Sequence, residues 1–387
     1  MSARIASLLV FLGVFTALVA GGHYYLWARL LRDPAWPGPW ARLGAVGFWG
    51  MALAMPLYFL ASRALPRALT TSWAWVMYLW MGLAFLLLVG VGAGDLLRWA
   101  AQHLPGGEDP SRRLFVARVV AAVVGGGSGL AAAVGVRTAL QRLAVLPVTI
   151  PVEGLPAALA GLKIVQLTDI HVGPTIGRAF IAEMVRRTNA LEPDLVAITG
   201  DLVDGPVEEL RAHVEPLRDL RARYGVYFVT GNHEYYSGAD AWIAELRRLG
   251  VRVLRNERVT VGEPGALLDI AGVDDWSAGR FGRGHGPDLP RALEGRDPSR
   301  PVVLLAHQPK AALEAAEHGV SLVLSGHTHG GQLWPWTLLV GLDQPFVKGL
   351  HRHKGTHVYV SQGTGYWGPP MRLGTFAEIT RLVLEVA

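Results

Sequence analysis

Val320-Ser321-Leu322-Val323-Leu324-Ser325-Gly326-His327-Thr328-His329-Gly330-Gly331-Gln332 is the stretch whose reading decides the fold. Its first five residues have the length and composition of a buried strand. The glycines then leave the backbone free to turn sharply. In an extended segment His327 and His329 would point the same way. On a loop at a strand end, the same pair can reach two neighbouring metal ions. A lone His-x-His is more often a polar turn, so its meaning depends on what the rest of the chain supplies.

Working back along the chain, other apolar runs end in the same manner. Leu162–Leu167 leads to Thr168-Asp169-Ile170-His171, and Leu195–Thr199 leads to Gly200-Asp201. Val226–Thr230 leads to Gly231-Asn232-His233-Glu234, and Val302–Ala306 leads to His307. Helical stretches lie between them: 178–191, 207–223 with an interruption at Pro216, and 241–249. A further strand is expected at 251–254, a hairpin over 258–273, and closing strands at 357–360 and 377–386. Strand and helix in repetition predict an α/β fold. Ligands in open α/β sheets gather at the carboxyl ends of strands. Any one of these polar groups could cap a turn; five in succession after β-type runs point to a site.

The donor set constrains the chemistry. With no cysteine in 387 residues, disulfides and thiolate sites are excluded, and a metal must be held by nitrogen and oxygen. Imidazole with oxygen donors suits manganese, iron or zinc better than calcium. Two divalent ions held close together need a shared anion, and Asp201, on the middle strand, is the expected bridge. Such a pair activates water and clamps the entering and leaving oxygens of a phosphoryl transfer.

The blocks Asp-x-His, Gly-Asp, Gly-Asn-His-Asp/Glu, His and Gly-His-x-His occur in that order from Asp169 to His329. In this the chain resembles the calcineurin-like metallophosphoesterases, and most nearly their bacterial membrane-associated branch. The resemblance covers roughly residue 163 to the C-terminus. It implies two stacked β-sheets flanked by helices. It also implies one divalent ion on Asp169, His171, Asp201 and His329, and a second on Asp201, Asn232, His307 and His327. His233 would be the catalytic residue that protonates the leaving oxygen. Glu234, where many members have Asp, could orient it.

The first 150 residues read differently. They hold eight of the 13 tryptophans, 12 arginines, no lysine and four acids. The whole net charge of +5 therefore belongs to them, the remainder standing at 24 basic against 27 acidic residues. That remainder lacks the basic excess of a nucleic-acid-binding domain, and no nucleic-acid partner is expected. Four apolar stretches, 5–26, 43–62, 72–94 and 114–136, are long enough to cross a bilayer. Trp27, Trp40, Trp73 and Trp99 fall near their ends, where amphipathic rings favour the interface. The expected organisation is an all-α transmembrane module at 1–143, a linker at 144–160, and the α/β domain at 161–387, in a multi-pass membrane protein. Loop arginines divide five against six between the two sides, so sidedness is not decided.

The expected function is membrane-anchored, metal-dependent phosphoester hydrolysis. A lipid-linked or amphiphilic substrate is expected because anchoring concentrates the enzyme at the bilayer. A metal-containing binding or signalling protein is the alternative, and the poverty of ionisable groups within the spans weakens a transporter. Arg372, in the aromatic loop 363–372, is a candidate phosphate ligand. Asp274 and Asp275 read as a solvated turn, and His351, His353 and His357 as part of a solvated basic loop.

Overall fold

The computed structural model describes residues 3–102 and 109–387. The chain divides into two compact units, one of residues 1–137 with 368–371, the other of 138–367 with 372–387.

The first unit is built from four helices: α1 (Ala3–Trp27), α2 (Trp40–Ala64), α3 (Arg67–Gln102) and α4 (Pro110–Leu140). All four are long and apolar enough to cross a membrane. α1 runs on into a π-helical turn, Ala28–Arg32. Leu26, Leu30, Ala84, Leu87, Val91 and Ala121 form a buried seam. His23, within α1, is satisfied locally. Trp80 donates to His23 Nε2 at 2.8 Å, and His23 Nδ1 donates to the Val19 carbonyl at 2.7 Å. That is the economy a water-poor environment demands.

The second unit stacks two six-stranded sheets. Its strands, in chain order, are β1 (Ala144–Val152), β2 (Lys163–Leu167), β3 (Leu195–Ile198), β4 (Val226–Phe228), β5 (Arg252–Val253) and β6 (Glu257–Glu263). They continue with β7 (Ala266–Gly272), β8 (Val302–Leu305), β9 (Leu322–Ser325), β10 (Gly349–His353), β11 (Thr356–Val360) and β12 (Glu378–Val386). One sheet runs β1-β12-β2-β3-β4-β5 and the other β10-β11-β9-β8-β7-β6. β2, β3, β4 and β5 are mutually parallel, as are β7, β8, β9 and β11.

Alternation along each strand places the core. Ile164, Leu195, Leu268, Leu305, Leu324 and Leu382 meet between the sheets. Their neighbours Val165, Val196 and Phe228 face outward under α5 (Arg178–Asn189), α6 (Val207–Val214) and α8 (Ala239–Arg248), with α7 (Asn232–Ser237) just before α8. On the outer face of the other sheet, Val302, Leu304 and Val358 pack beneath α9 (Leu289–Ala292) and α10 (Ala311–Glu317). A last short helix, α11 (Trp336–Val340), lies in the insertion after β9. Strands covered on both faces read as unbroken apolar runs, which is why they stood out in the sequence.

Three expectations change. Residues 144–152, expected as linker, form β1, an edge strand parallel to β12 over its whole length. Its prolines, Pro147 and Pro151, are tolerated because an edge strand has unpaired N–H positions. The helix expected over 207–223 is interrupted at Pro216 as read, but it is shorter: the α-helix stops at Val214 and a 3₁₀ turn, Glu215–Asp219, ends it, since Pro216 cannot donate within an α-helix. The basic loop at 351–357 is the β10–β11 hairpin, with His353 opposite Thr356.

Candidate metal centre

Parallel strands bring their carboxyl ends to one side, and the loops after β2, β3, β4, β8 and β9 meet there. The ligand atoms of Asp169, His171 and His329 lie within 4.8 Å of one another, as do those of Asp201, His307 and His327. His171, Asp201 and His233 form a third such set. The middle strand thus places Asp201 between the groups, 3.1 Å from His307 Nε2 and 3.9 Å from His171 Nε2.

The backbone is bent hard to achieve this. Asp169, His171, Asp201, His327 and His329 all have φ between 50° and 70°. Side chains rarely adopt that region, and strained residues of this kind cluster at functional sites. The glycines have a separate reason. A Cβ on Gly326 would collide with the Asp169 carboxylate, and one on Gly231 with that of Asp201. Only glycine lets these loops close on the acids.

Hydrogen bonds to oxygen orient three of the imidazoles. His307 Nδ1 donates to the Thr199 carbonyl at 2.8 Å, which turns Nε2 toward the Asp201 carboxylate. Asp204 Oδ1 accepts from His171 Nδ1 at 2.9 Å and from His233 Nδ1 at 2.7 Å. A carboxylate only accepts, so both rings carry their proton on Nδ1 and turn Nε2 inward. Burial would raise the Asp204 carboxyl, but the two histidines outweigh it and hold it at about 2. It is therefore a fixed anion.

Two pairs of ring nitrogens meet one another here, and two further polar atoms have no partner among the described residues. His171 Nε2 and His329 Nε2 are 3.1 Å apart, and His327 Nδ1 is 3.2 Å from His307 Nε2. His329 Nδ1 and Asn232 Oδ1 are buried with no hydrogen bond among the described residues. Burial drives the proton affinity of His329 well down and that of His327 to about 3. Both rings are thus neutral, with lone pairs free to bind. Asp201, despite burial, is held well below the usual carboxylate range by His307 and His233. Neutral imidazoles and anionic oxygens converging in a dry cradle are what a divalent cation requires, and the residues fit one.

His233 is partly open, with 16% of its side chain exposed. Its ring meets Tyr236 and Trp367 edge-on at 5.3 and 5.5 Å. Tyr236 in turn packs on Phe281 at 5.5 Å. Tyr236, Trp367 and Phe281 are all exposed, so the rim beside His233 is aromatic.

Three sequence expectations are corrected here. Glu234 does not orient His233. Its carboxylate accepts from the backbone N–H groups of Gly231, Asp201 and Leu202 at 2.7, 3.0 and 2.8 Å, tying the loops after β4 and β3 together. Burial lifts its carboxyl to about 7. Arg372 is fully buried. It donates to the carbonyls of Gly365 and Gly363, with His329 O and Thr375 Oγ1 at 3.5 Å. Its donors are committed to the backbone behind the site and none is left to meet substrate. Asp274 and Asp275 are buried, not solvated. Asp274 takes a bidentate pair from Arg255 at 2.8 and 2.5 Å, and Asp275 holds Ser277 and Gln308.

Asp204 is the residue that sequence reading missed. It is not at a strand end but three positions beyond Asp201, in Gly-Asp-x-x-Asp. The usable signal was chemical, because metal-facing histidines generally give their second N–H to a carboxylate. Changing Asp204→Asn should raise the Kd for Mn²⁺ by about 10–100-fold, the usual cost of losing such a partner. Isothermal titration of chelator-stripped protein reads it, and an unchanged Kd would remove Asp204 from this role.

Fold and site together define a class of protein, the calcineurin-like phosphoesterases. That family's model matches residues 162–331, and the chain belongs to the family. Its members are generally metal-dependent hydrolases. The chain is 46% identical over 306 residues to a transmembrane protein with metallophosphoesterase domain from Bos taurus, covering 76% of this chain and 68% of that one. It is 44% identical over 225 residues to an uncharacterized metallophosphoesterase of Helicobacter pylori J99, covering 58% of this chain and 60% of the relative. The similarity to the metallophosphoesterase YkuE of Bacillus subtilis is 30% over 245 residues, covering 61% and 84%. With four helices able to cross a bilayer and transmembrane relatives, the chain is a multi-pass membrane protein.

Proposed function

We propose that the chain hydrolyses phosphoesters with two divalent ions, and that its substrate is amphiphilic or lipid-linked. The observation that carries the hydrolase reading is the gathering of the Asp169, His171 and His329 ligand atoms in one set and those of Asp201, His307 and His327 in a second, with Asn232 Oδ1 buried and unpaired. In this reading one ion takes Asp169, His171, Asp201 and His329, and the other Asp201, Asn232, His307 and His327. When bound, the pair supplies Lewis acidity to the phosphoryl oxygens and an activated water. Manganese, iron and zinc suit the nitrogen and oxygen donors.

The chain's own residues supply the rest. Asp204 holds His233 with Nε2 facing inward, 4.0 Å from Asp201 Oδ2. From there His233 donates a proton to the leaving oxygen. The rim of Tyr236, Phe281 and Trp367 favours an apolar leaving group beside that proton.

Detergent-purified full-length protein, stripped with chelator and reloaded with Mn²⁺, should bind two ions per chain and cleave bis(p-nitrophenyl) phosphate. Asp201→Asn should bind at most one ion and lose the activity. Undiminished turnover in chelator, or in Asp201→Asn, would end the proposal. The lipid arm is read separately, by comparing kcat/KM for an acylated phosphodiester and its deacylated analogue. Equal values would discard the amphiphilic substrate and leave the hydrolase reading standing.

A further inference from the structure

At one end of the membrane unit, the π-helical turn after α1, the end of α3 and the first turns of α4 line a cleft of about 820 Å³. Arg29, Arg32, Arg98, Arg112 and Arg113 all line it. Among the described residues only Asp33 and Asp95 oppose them there, so five guanidinium groups face two carboxylates.

Interfacial arginines are common, and scattered ones snorkel singly into water. These are built into place. Asp95 accepts from Tyr25 at 2.7 Å and from Arg29 at 2.9 Å, with Arg98 at 3.4 Å. Arg29 also reaches Asp33 at 2.8 Å, and Arg32 reaches the same carboxylate. Arg118 donates to the carbonyls of Pro34 and Ala35, fixing α4 against the segment after α1. Arg29 and Arg32 stand on the π-helical turn Ala28–Arg32. Such turns are rare and recur at functional sites, because the wider turn re-aims its side chains. Arg112 and Arg113 are exposed and complete the rim.

We infer that this cleft binds a phosphate-bearing anion. Five planar donors arriving from three helices match phosphate oxygens, which arginine engages in bidentate fashion. Two carboxylates position the inner arginines without cancelling the excess of three positive charges. The site lies at span termini, the depth at which lipid headgroups sit. The chemistry is shared by an anionic lipid headgroup and by phosphate from solution. It is independent of the hydrolase reading and uses none of the same residues.

Native mass spectrometry of the full-length protein in mixed micelles tests it, with phosphatidylglycerol and phosphatidylcholine as probes. Phosphatidylglycerol should be retained at least about tenfold more tightly. The double variant Arg112→Gln/Arg113→Gln should lose roughly thirtyfold, at about 1 kcal/mol per interfacial cation. Arg137→Gln/Arg142→Gln, which removes the same charge elsewhere, should keep the preference. Displacement of the lipid by millimolar inorganic phosphate would identify soluble phosphate as sufficient, and no displacement would identify the headgroup with its lipid. Equal retention of both lipids, or a preference that survives Arg112→Gln/Arg113→Gln, would overturn the inference. A circular-dichroism spectrum matching the parent shows that the variant is folded.

Discussion

His233→Ala is expected to lower turnover by about 10²–10⁴-fold, the usual contribution of a positioned acid, while metal content stays at the parent level. The expectation follows from where the ring stands. Its Nδ1 proton is fixed by Asp204, its Nε2 faces inward, and 16% of the side chain is exposed. Burial alone would strip its second proton, but the Asp201 charge and the Asp204 hydrogen bond outweigh it and lift the imidazole to about 9. The ring is therefore an acid across neutral pH. The rate should fall as pH rises through the value at which that proton is lost. Two bound dications repel it, so the alkaline limb should appear at or below about 9. In His233→Ala this limb should vanish. A variant that loses its metals along with its activity would instead make His233 a ligand, and an unchanged pH profile would remove it from proton transfer.

The second large effect is on stability. Arg372→Ala should cost roughly 3–5 kcal/mol, because it empties the space of a large buried side chain and leaves the carbonyl of Gly365 without a donor, while Gly363 keeps only the Glu378 N–H. At about 2–4 °C per kcal/mol for a domain of this size, apparent Tm should drop by on the order of 10 °C. Lysine should rescue only in part, since its single ammonium cannot span the same carbonyls. Burial already depresses the Arg372 proton affinity to about 10, so the native fold tolerates this cation only because its donors are met. A phosphate-binding arginine would behave in the opposite way, raising KM on replacement with Tm unmoved. Differential scanning fluorimetry beside steady-state kinetics separates the two.

Much of this molecule was legible before any coordinate. The four spans were readable because a bilayer demands uninterrupted apolar helix of a set length, and α1–α4 are such helices. The strands of the second unit were readable because both their faces are covered, so Leu195–Ile198 carries no polar residue and Leu322–Ser325 none before Ser325. The edge strand β1 was not. Its prolines and half-exposed alternation resemble a linker, and only pairing with β12, more than 200 residues later, makes it a strand. The β10–β11 hairpin was hidden likewise, because its exposed histidines and arginine look like any solvated loop.

The sequence by itself determined which side chains stand at the carboxyl ends of strands, because each strand announces its own end. It could not say that Asp169, Asp201 and His327 approach one another, or that a single oxygen of Asp204 serves two histidines. Those are distances between segments far apart in the chain. Tertiary structure also decided what buried charges do: Glu234 and Arg372 have the residue types of a catalytic site, yet both are spent on backbone groups. A side chain's type states which bonds it is able to make. Which of them it makes depends on the groups that folding places within reach, and on how completely water is excluded around them.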